Sequence, residues 1–239
     1  MNIGMIGCGW LGKPLAIHLQ KEHTITCYSR TQKLQEKELS YVYLPSASHT
    51  FWENELFIIS ISTKDKYLAS LKDFLYLIPS SAKIIFTSST SVYKGLENKV
   101  DEESTLVEQS LQKLAEELVL SFGKQALILR LGGLMGEDRI AGKWKSPTPY
   151  ADGPVNYIHQ EDILIIISKF IDKNILQGIY NLVAPEHPLR SSVHKNNAKK
   201  LGFEEGVYNR TTGRFVDSNK LIKALKYEFI HPNPLEFWT

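Results

Sequence analysis

The stretch Asn2-Ile3-Gly4-Met5-Ile6-Gly7-Cys8-Gly9-Trp10-Leu11-Gly12 opens the chain with a short apolar run that breaks into glycines spaced G-x-G-x-x-G. Leu15, Ala16 and Leu19 follow at helical spacing, so the segment reads as strand, tight turn and helix. Gly7 permits the turn, Gly9 lets backbone approach a pyrophosphate, and Gly12 lets helix and strand pack closely. The backbone N–H groups around Trp10, Leu11 and Gly12 then face the phosphates at the helix start. A glycine turn that binds nothing is the competing reading, and the agreement of position, strand and helix weighs against it.

Working outward, apolar runs at Asn2–Ile6, Thr24–Tyr28, Leu56–Ile61, Lys83–Thr87 and Ala126–Leu131 read as strands. Helical spacing separates them, at Leu68, Leu71, Leu75 and Ile78, and again at Leu111, Leu114, Leu118 and Phe122. Thr105-x-x-Glu108 has the pattern of a capping box for the second helix. This alternation defines an α/β class, a Rossmann-type doubly wound parallel sheet. From Gly132 to Pro154 the periodicity stops, and a loop of that length is usually functional. Beyond it come a helix over about 160–171, a strand near 179–182, and helices near 191–201 and 218–225. The expectation is a single NAD(P)-binding domain over 1–239, within which about 132–159 and 178–239 form a small substrate-side cap.

The second strand usually ends in an acidic residue that binds the ribose hydroxyls of NAD, but here it ends Cys27-Tyr28-Ser29-Arg30-Thr31. A guanidinium at Arg30, flanked by the hydroxyls of Ser29 and Thr31, suits a 2′-phosphate. NADP is therefore expected in preference to NAD, the alternative being an exposed loop arginine. Ser60, Ser62 and Thr63 follow the third run, where they would line the nicotinamide-ribose side or merely terminate the strand.

Composition excludes other classes. The hydrophobic share of 43% is ordinary for a globular chain, which sets disorder aside. A net charge of only +2, with both signs mixed, leaves no footprint for nucleic acid or an anionic membrane. The basic stretch from Lys195 to Lys200 reads as the solvated face of a helix, given Val193, Ala198 and Leu201 around it. The longest strongly apolar run, Ile163–Ile167, is too short to span a bilayer, and no leader pattern precedes the first strand. A soluble cytoplasmic protein is expected. Cys8 and Cys27 lack metal-ligand spacing and read as buried thiols outside any disulfide.

Several segments together resemble the extended short-chain dehydrogenase/reductase family, also called the NAD-dependent epimerase/dehydratase family. They are Phe86-Thr87-Ser88-Ser89-Thr90-Ser91-Val92-Tyr93, Leu127-Ile128-Leu129-Arg130-Leu131-Gly132-Gly133-Leu134-Met135-Gly136, Asn156-Tyr157-Ile158-His159-Gln160-Glu161-Asp162 and Gly178-Ile179-Tyr180-Asn181-Leu182. They fall in the family's order, and the tail around Arg214-Phe215-Val216-Asp217 resembles a shorter, atypical branch. The resemblance implies a hydride-transferring site in which Ser89 bonds the reacting oxygen and Lys113 holds the nicotinamide ribose. It also places Ser88 and Gly133 on the cofactor side.

The family's YxxxK tyrosine falls at Gln109, which cannot donate a proton at a useful pKa. Four residues apart, Gln109 and Lys113 would share a helical face. Tyr93 is the candidate replacement acid, with Tyr157, substrate or water as alternatives. Each candidate has a plainer reading: Lys113 paired with Glu116 and Glu117, Ser89 as a strand-end cap, and His159 with Asp162 as a helix start. No second ligand is spaced to help His159, and no metal is expected.

Arg139, Lys143, Trp144 and Lys145 in the irregular segment could grip an anionic small-molecule substrate, with Tyr157 and His159 nearby in sequence. A small carbonyl or a nucleotide-linked sugar fits an oxidoreductase, epimerase or dehydratase. The other reading is a non-catalytic NADP-sensing protein. The resemblance further implies a homodimer pairing through the helix over 106–122, whose glutamates and Lys113 leave the oligomeric state open.

Overall fold

The computed structural model describes residues 1–29, 39–43, 49–63, 66–95, 99–144, 146, 148–210 and 213–238. Its strands are β1 Asn2–Ile6, β2 Thr24–Ser29, β3 Ser40–Tyr43, β4 Leu56–Ile59, β5 Lys83–Ser89, β6 Lys99–Val100, β7 Ala126–Leu131, β8 Gly133–Met135, β9 Tyr150–Asp152, β10 Tyr157–His159, β11 Gly178–Leu182, β12 Tyr208–Arg210 and β13 Phe215–Val216. The helices are α1 Gly12–Leu19, α2 Tyr67–Leu77, α3 Leu111–Ser121, α4 Gln160–Asp172, α5 Arg190–Leu201 and α6 Asn219–Leu225.

Seven strands form the central sheet in the order β3-β2-β1-β4-β5-β7-β11. The pairs β1/β2, β1/β4, β2/β3 and β4/β5 are parallel. Every residue of β4 and β7 is buried, as expected of parallel strands covered on both faces. The sheet is therefore a Rossmann-type α/β sheet, as the alternating pattern implied.

By contact density the chain divides into two compact units, one of 1–88, 107–129 and 168–179, the other of 89–106, 130–167 and 180–239. In the first, one sheet face presents Ile6, Phe57, Ile59, Ile84, Phe86 and Ile128, at the two-residue spacing a strand imposes. Tyr67, Leu71 and Leu75 of α2 and Ala115 and Val119 of α3 cover that face. In the second unit Val92, Tyr93, Val100, Val183 and Val216 form one apolar cluster, and Met135, Val155, Tyr157, Val193 and Phe237 belong to another.

Some local readings need correction. Ser110, not the Thr105/Glu108 box, caps α3, its Oγ accepting the Lys113 N–H at 3.2 Å. Thr105 instead accepts the Lys94 N–H through its backbone carbonyl. The helix thus begins after Gln109, which lies exposed before it and shares no helical face with Lys113. The stretch 132–154 contains β8 and β9, and β3 was not legible in the sequence. Both cysteines are thiols, Cys27 buried as expected and Cys8 half-buried.

Candidate functional site

In the first unit the strand order reverses at β1, whose neighbours are β2 and β4, and this is where open α/β sheets bind ligands. The carboxyl ends of β1 and β4 meet there, the Ser60 N–H donating to the Ile6 carbonyl at 2.8 Å. Gly7 has φ +104°, and a Cβ on it would lie 2.2 Å from the Ser60 oxygen. A Cβ on Gly12 would lie 2.1 Å from the Gly7 oxygen, so both positions exclude side chains on packing grounds. Gly9 differs: it is exposed and a Cβ there would meet nothing within 4 Å. No side chain caps α1 at Leu11, and no acidic residue lies in its first turn. The turn Gly7–Gly12 therefore offers an open backbone surface at a positive helix end, a fit for a pyrophosphate.

Ser29 ends β2 half-buried, whereas Arg30 and Thr31 lie outside the described residues. Ser62 and Thr63 are exposed beyond β4, which stops at Ile59. Ser88 is committed within its unit, its Oγ donating to the buried carboxylate of Glu116 at 2.5 Å. Lys113 pairs with Glu108 at 2.5 Å and Glu117 at 3.0 Å, and the bonds to these carboxylates raise its pKa. The pairing with Glu117 matches one plain reading, but Glu116 faces Ser88 instead.

In the second unit Ser89 caps the short 3-10 turn over 90–92, accepting the Ser91 N–H at 3.2 Å. Tyr93 is 1% exposed, and its hydroxyl donates to Asn181 Oδ1 at 2.5 Å while accepting from Arg130 Nη1 at 3.0 Å. Burial raises its pKa, against the opposing pull of Arg130 and Asn181. Glu102 accepts the Asn181 N–H, and Arg214 donates to the carbonyls of Thr90, Tyr93 and Gly95. Arg130 and Asn181 stood in the quoted family segments, yet nothing in their spacing announced that they would lock Tyr93.

Gly133 packs against the Tyr157 ring, and its N–H donates to the Asn156 carbonyl at 2.8 Å. Tyr157 is buried, with its hydroxyl 3.4 Å from His194 Nε2, and burial raises its pKa. Arg139 is exposed in a tight turn that bridges to Gly136. Trp144 lines a cavity of about 340 Å³ with Gly142, Lys143, Tyr150, Glu204 and Glu205. Arg139, Tyr157 and His159 do not line it, and Lys145 lies outside the described residues.

His159 starts α4 as expected, its Nδ1 accepting the Glu161 N–H at 3.3 Å. Burial lowers its pKa, with the neighbouring His231 adding to the effect. Asp162 does not cap this helix: it accepts from the Tyr227 hydroxyl at 2.6 Å and from the N–H groups of Ile230 and His231. Those bonds bring His231 beside His159 and Glu161, potential metal ligands that spacing along the chain did not reveal.

The fold is that of solved NAD-dependent epimerase/dehydratase proteins. Protein YeeZ of Escherichia coli strain K12 is 27% identical over 267 residues, covering 98% of this chain and 97% of its own. Human epimerase family protein SDR39U1, solved with NADPH, aligns at TM-score 0.74 with 15% identity, covering 98% of this chain and 96% of that one. The dTDP-glucose 4,6-dehydratase of Bacillus anthracis, solved with NAD, aligns at TM-score 0.79 with 14% identity, covering 99% and 94%. No family model matches the chain. No helix of the described residues is long and apolar enough to cross a membrane.

Proposed function

We propose that this chain is an NADP-dependent oxidoreductase of the short-chain dehydrogenase/reductase kind, acting on a small carbonyl or a nucleotide-linked sugar in the cytoplasm. The observation that carries the reading is the contrast within the glycine turn. Gly7 and Gly12 are glycines because backbone oxygens leave no room for a Cβ, whereas the space above Gly9 is open. An open glycine beside an uncapped helix start is where a pyrophosphate is held. NADP, when bound, supplies the hydride chemistry; the chain's residues bind and orient it. The solved neighbours carrying NADPH or NAD support this cofactor class, and Arg30 is our reason for preferring NADP.

Ser89 uses its oxygen as an acceptor toward Ser91, so its O–H proton remains available to polarise a carbonyl oxygen. We assign Tyr93 a structural role, because its proton is given to Asn181 inside a buried network. The proton would then come through Ser89 from substrate or water. The committed Tyr93 and exposed Gln109 also favour a second reading, a dinucleotide-binding sensor without chemistry.

One experiment separates the two. NADPH oxidation is screened against small aldehydes, ketones and sugar nucleotides alongside calorimetric NADPH titration. The enzyme reading expects a turned-over substrate, with Ser89→Ala lowering kcat and kcat/KM together and Gln109→Ala mattering far less. NADPH binding without any turnover supports the sensor, and absence of binding refutes both.

A further inference from the structure

In the second unit His159, Glu161 and His231 each offer one ligand atom, all within 4.8 Å of one another. The two imidazole centroids are 3.8 Å apart with planes inclined by 43°, and His231 Nε2 lies 2.8 Å from Glu161 Oε2. Phe237 walls the pair, 5.5 Å from one imidazole and 6.0 Å from the other. The cluster is half-buried at both histidines and open at Glu161.

The position of His231 is enforced from below. The carboxylate of Asp162, fully buried, accepts the N–H groups of Ile230 and His231 at 2.9 and 3.1 Å and the Tyr227 hydroxyl at 2.6 Å. These bonds tie the segment after α6 to the start of α4, so that His231 is held where it meets His159. Two imidazoles pressed together would repel if both were protonated, whereas a shared divalent cation beside a carboxylate turns the same crowding into attraction. Two imidazole nitrogens and one carboxylate form a donor set that suits zinc.

We propose that His159, Glu161 and His231 bind one divalent transition-metal ion of the zinc class, with the remaining coordination position open to water or an anionic oxygen. Tetrahedral bonds of about 2.1 Å put ligand atoms about 3.4 Å apart. His231 Nε2 and Glu161 Oε2, now 2.8 Å apart, must therefore open by about half an ångström, which rotation of the exposed Glu161 side chain supplies. Coordination replaces the 3.3 Å bond between His159 Nδ1 and the Glu161 N–H, a long contact with little to lose. The metal would clamp the Tyr227–His231 segment onto α4, and it stands independently of the dinucleotide site.

Tag-free full-length protein, stripped with chelator, is titrated with Zn²⁺ by calorimetry and with Co²⁺ by visible absorption. The expected result is one ion per chain at micromolar or tighter affinity, cobalt d–d bands, and a raised Tm with Zn²⁺. His231→Ala and His159→Ala should weaken binding at least about a hundredfold, more than is typical for loss of a supporting residue. Glu161→Gln, a change at an exposed side chain that keeps the fold, should weaken it at least about tenfold and decides the matter if a histidine variant does not fold. His23→Ala, which disrupts a second cluster of potential ligands among the described residues, Glu22, His23 and Asp172, should leave binding unchanged. Affinity weaker than millimolar, a Glu161→Gln titration that superimposes on the native one, or loss of the site in His23→Ala overturns the proposal.

Discussion

Gly7 sits against Ser60 so closely that a Cβ on the glycine would lie 2.2 Å from the Ser60 carbonyl oxygen. That contact joins the ends of β1 and β4. The two glycines of the motif should therefore fail in different ways when replaced. Gly7→Ala meets both the backbone oxygen and a φ of +104° and should cost about 3 kcal/mol, from roughly 1–2 for the backbone and 1–3 for the clash. Gly9→Val puts its Cβ where nothing in the protein lies within 4 Å, and should leave the Tm within a few degrees while abolishing NADPH binding. Thermal melts with calorimetric titration check both; unchanged NADPH affinity in folded Gly9→Val removes the turn from the site.

Tyr93→Phe should be a stability mutation. Removing the hydroxyl leaves Asn181 Oδ1 and one Arg130 bond without their buried partner, at a cost of about 1–3 kcal/mol. For a chain of this size that is roughly a 2–12 °C drop in Tm. Turnover of any substrate found, measured where the variant is fully folded, should change less than about threefold. Collapse of kcat in folded Tyr93→Phe would make this tyrosine the acid after all.

The sheet was legible because strands such as Leu56–Ile59 and Ala126–Leu131 are buried on both faces and so read as apolar runs. The strand, glycine turn and helix over 2–19 were legible because their geometry is local. What failed to show was decided by tertiary contact. Ser110 starts α3 in place of the Thr105/Glu108 box because Thr105 is drawn into the bridge that pairs Leu106 with Tyr93. His231 cannot be recognised as the neighbour of His159 from spacing, since a buried carboxylate on another element brings it there. β3 is four residues at the sheet edge, and none of its described side chains is buried, Ser40 being exposed and Tyr41 and Val42 half-buried, which leaves little apolar pattern to read.

Acid should destabilise the second unit through His194. This ring is 1% exposed, and burial, aided by the nearby Arg190 charge and opposed by Asp152, lowers its pKa from 6.5 to about 4. Tyr150, Tyr157 and Tyr208 face it without supplying a counter-charge. The unfolded chain therefore binds the proton first as pH falls, so stability is full above about pH 6.5 and declines toward pH 4. The loss at pH 4 should approach about 3 kcal/mol from this group. Urea unfolding across pH 4–7 should show that slope in the native protein and a flatter one in His194→Gln; identical slopes would mean that the ring is protonated in the folded state.

NADPH should bind more tightly than NADH, with Arg30 accounting for most of the difference. A hydrogen bond to a charged group contributes about 1.5–3 kcal/mol, and about 1.4 kcal/mol is a tenfold change in an equilibrium constant. The preference should then be roughly ten- to a hundredfold, with Ser29 and Thr31 adding less. Arg30→Ala should remove most of it and leave NADH affinity nearly unchanged, because the contacts at Gly7–Gly12 do not involve the 2′ position. Raising salt should shrink the preference in the native protein, since an exposed ion pair is screened over about 10 Å at 0.1 M. Both cofactors are measured against native protein and Arg30→Ala at two ionic strengths; equal native affinities would show that Arg30 points into solvent.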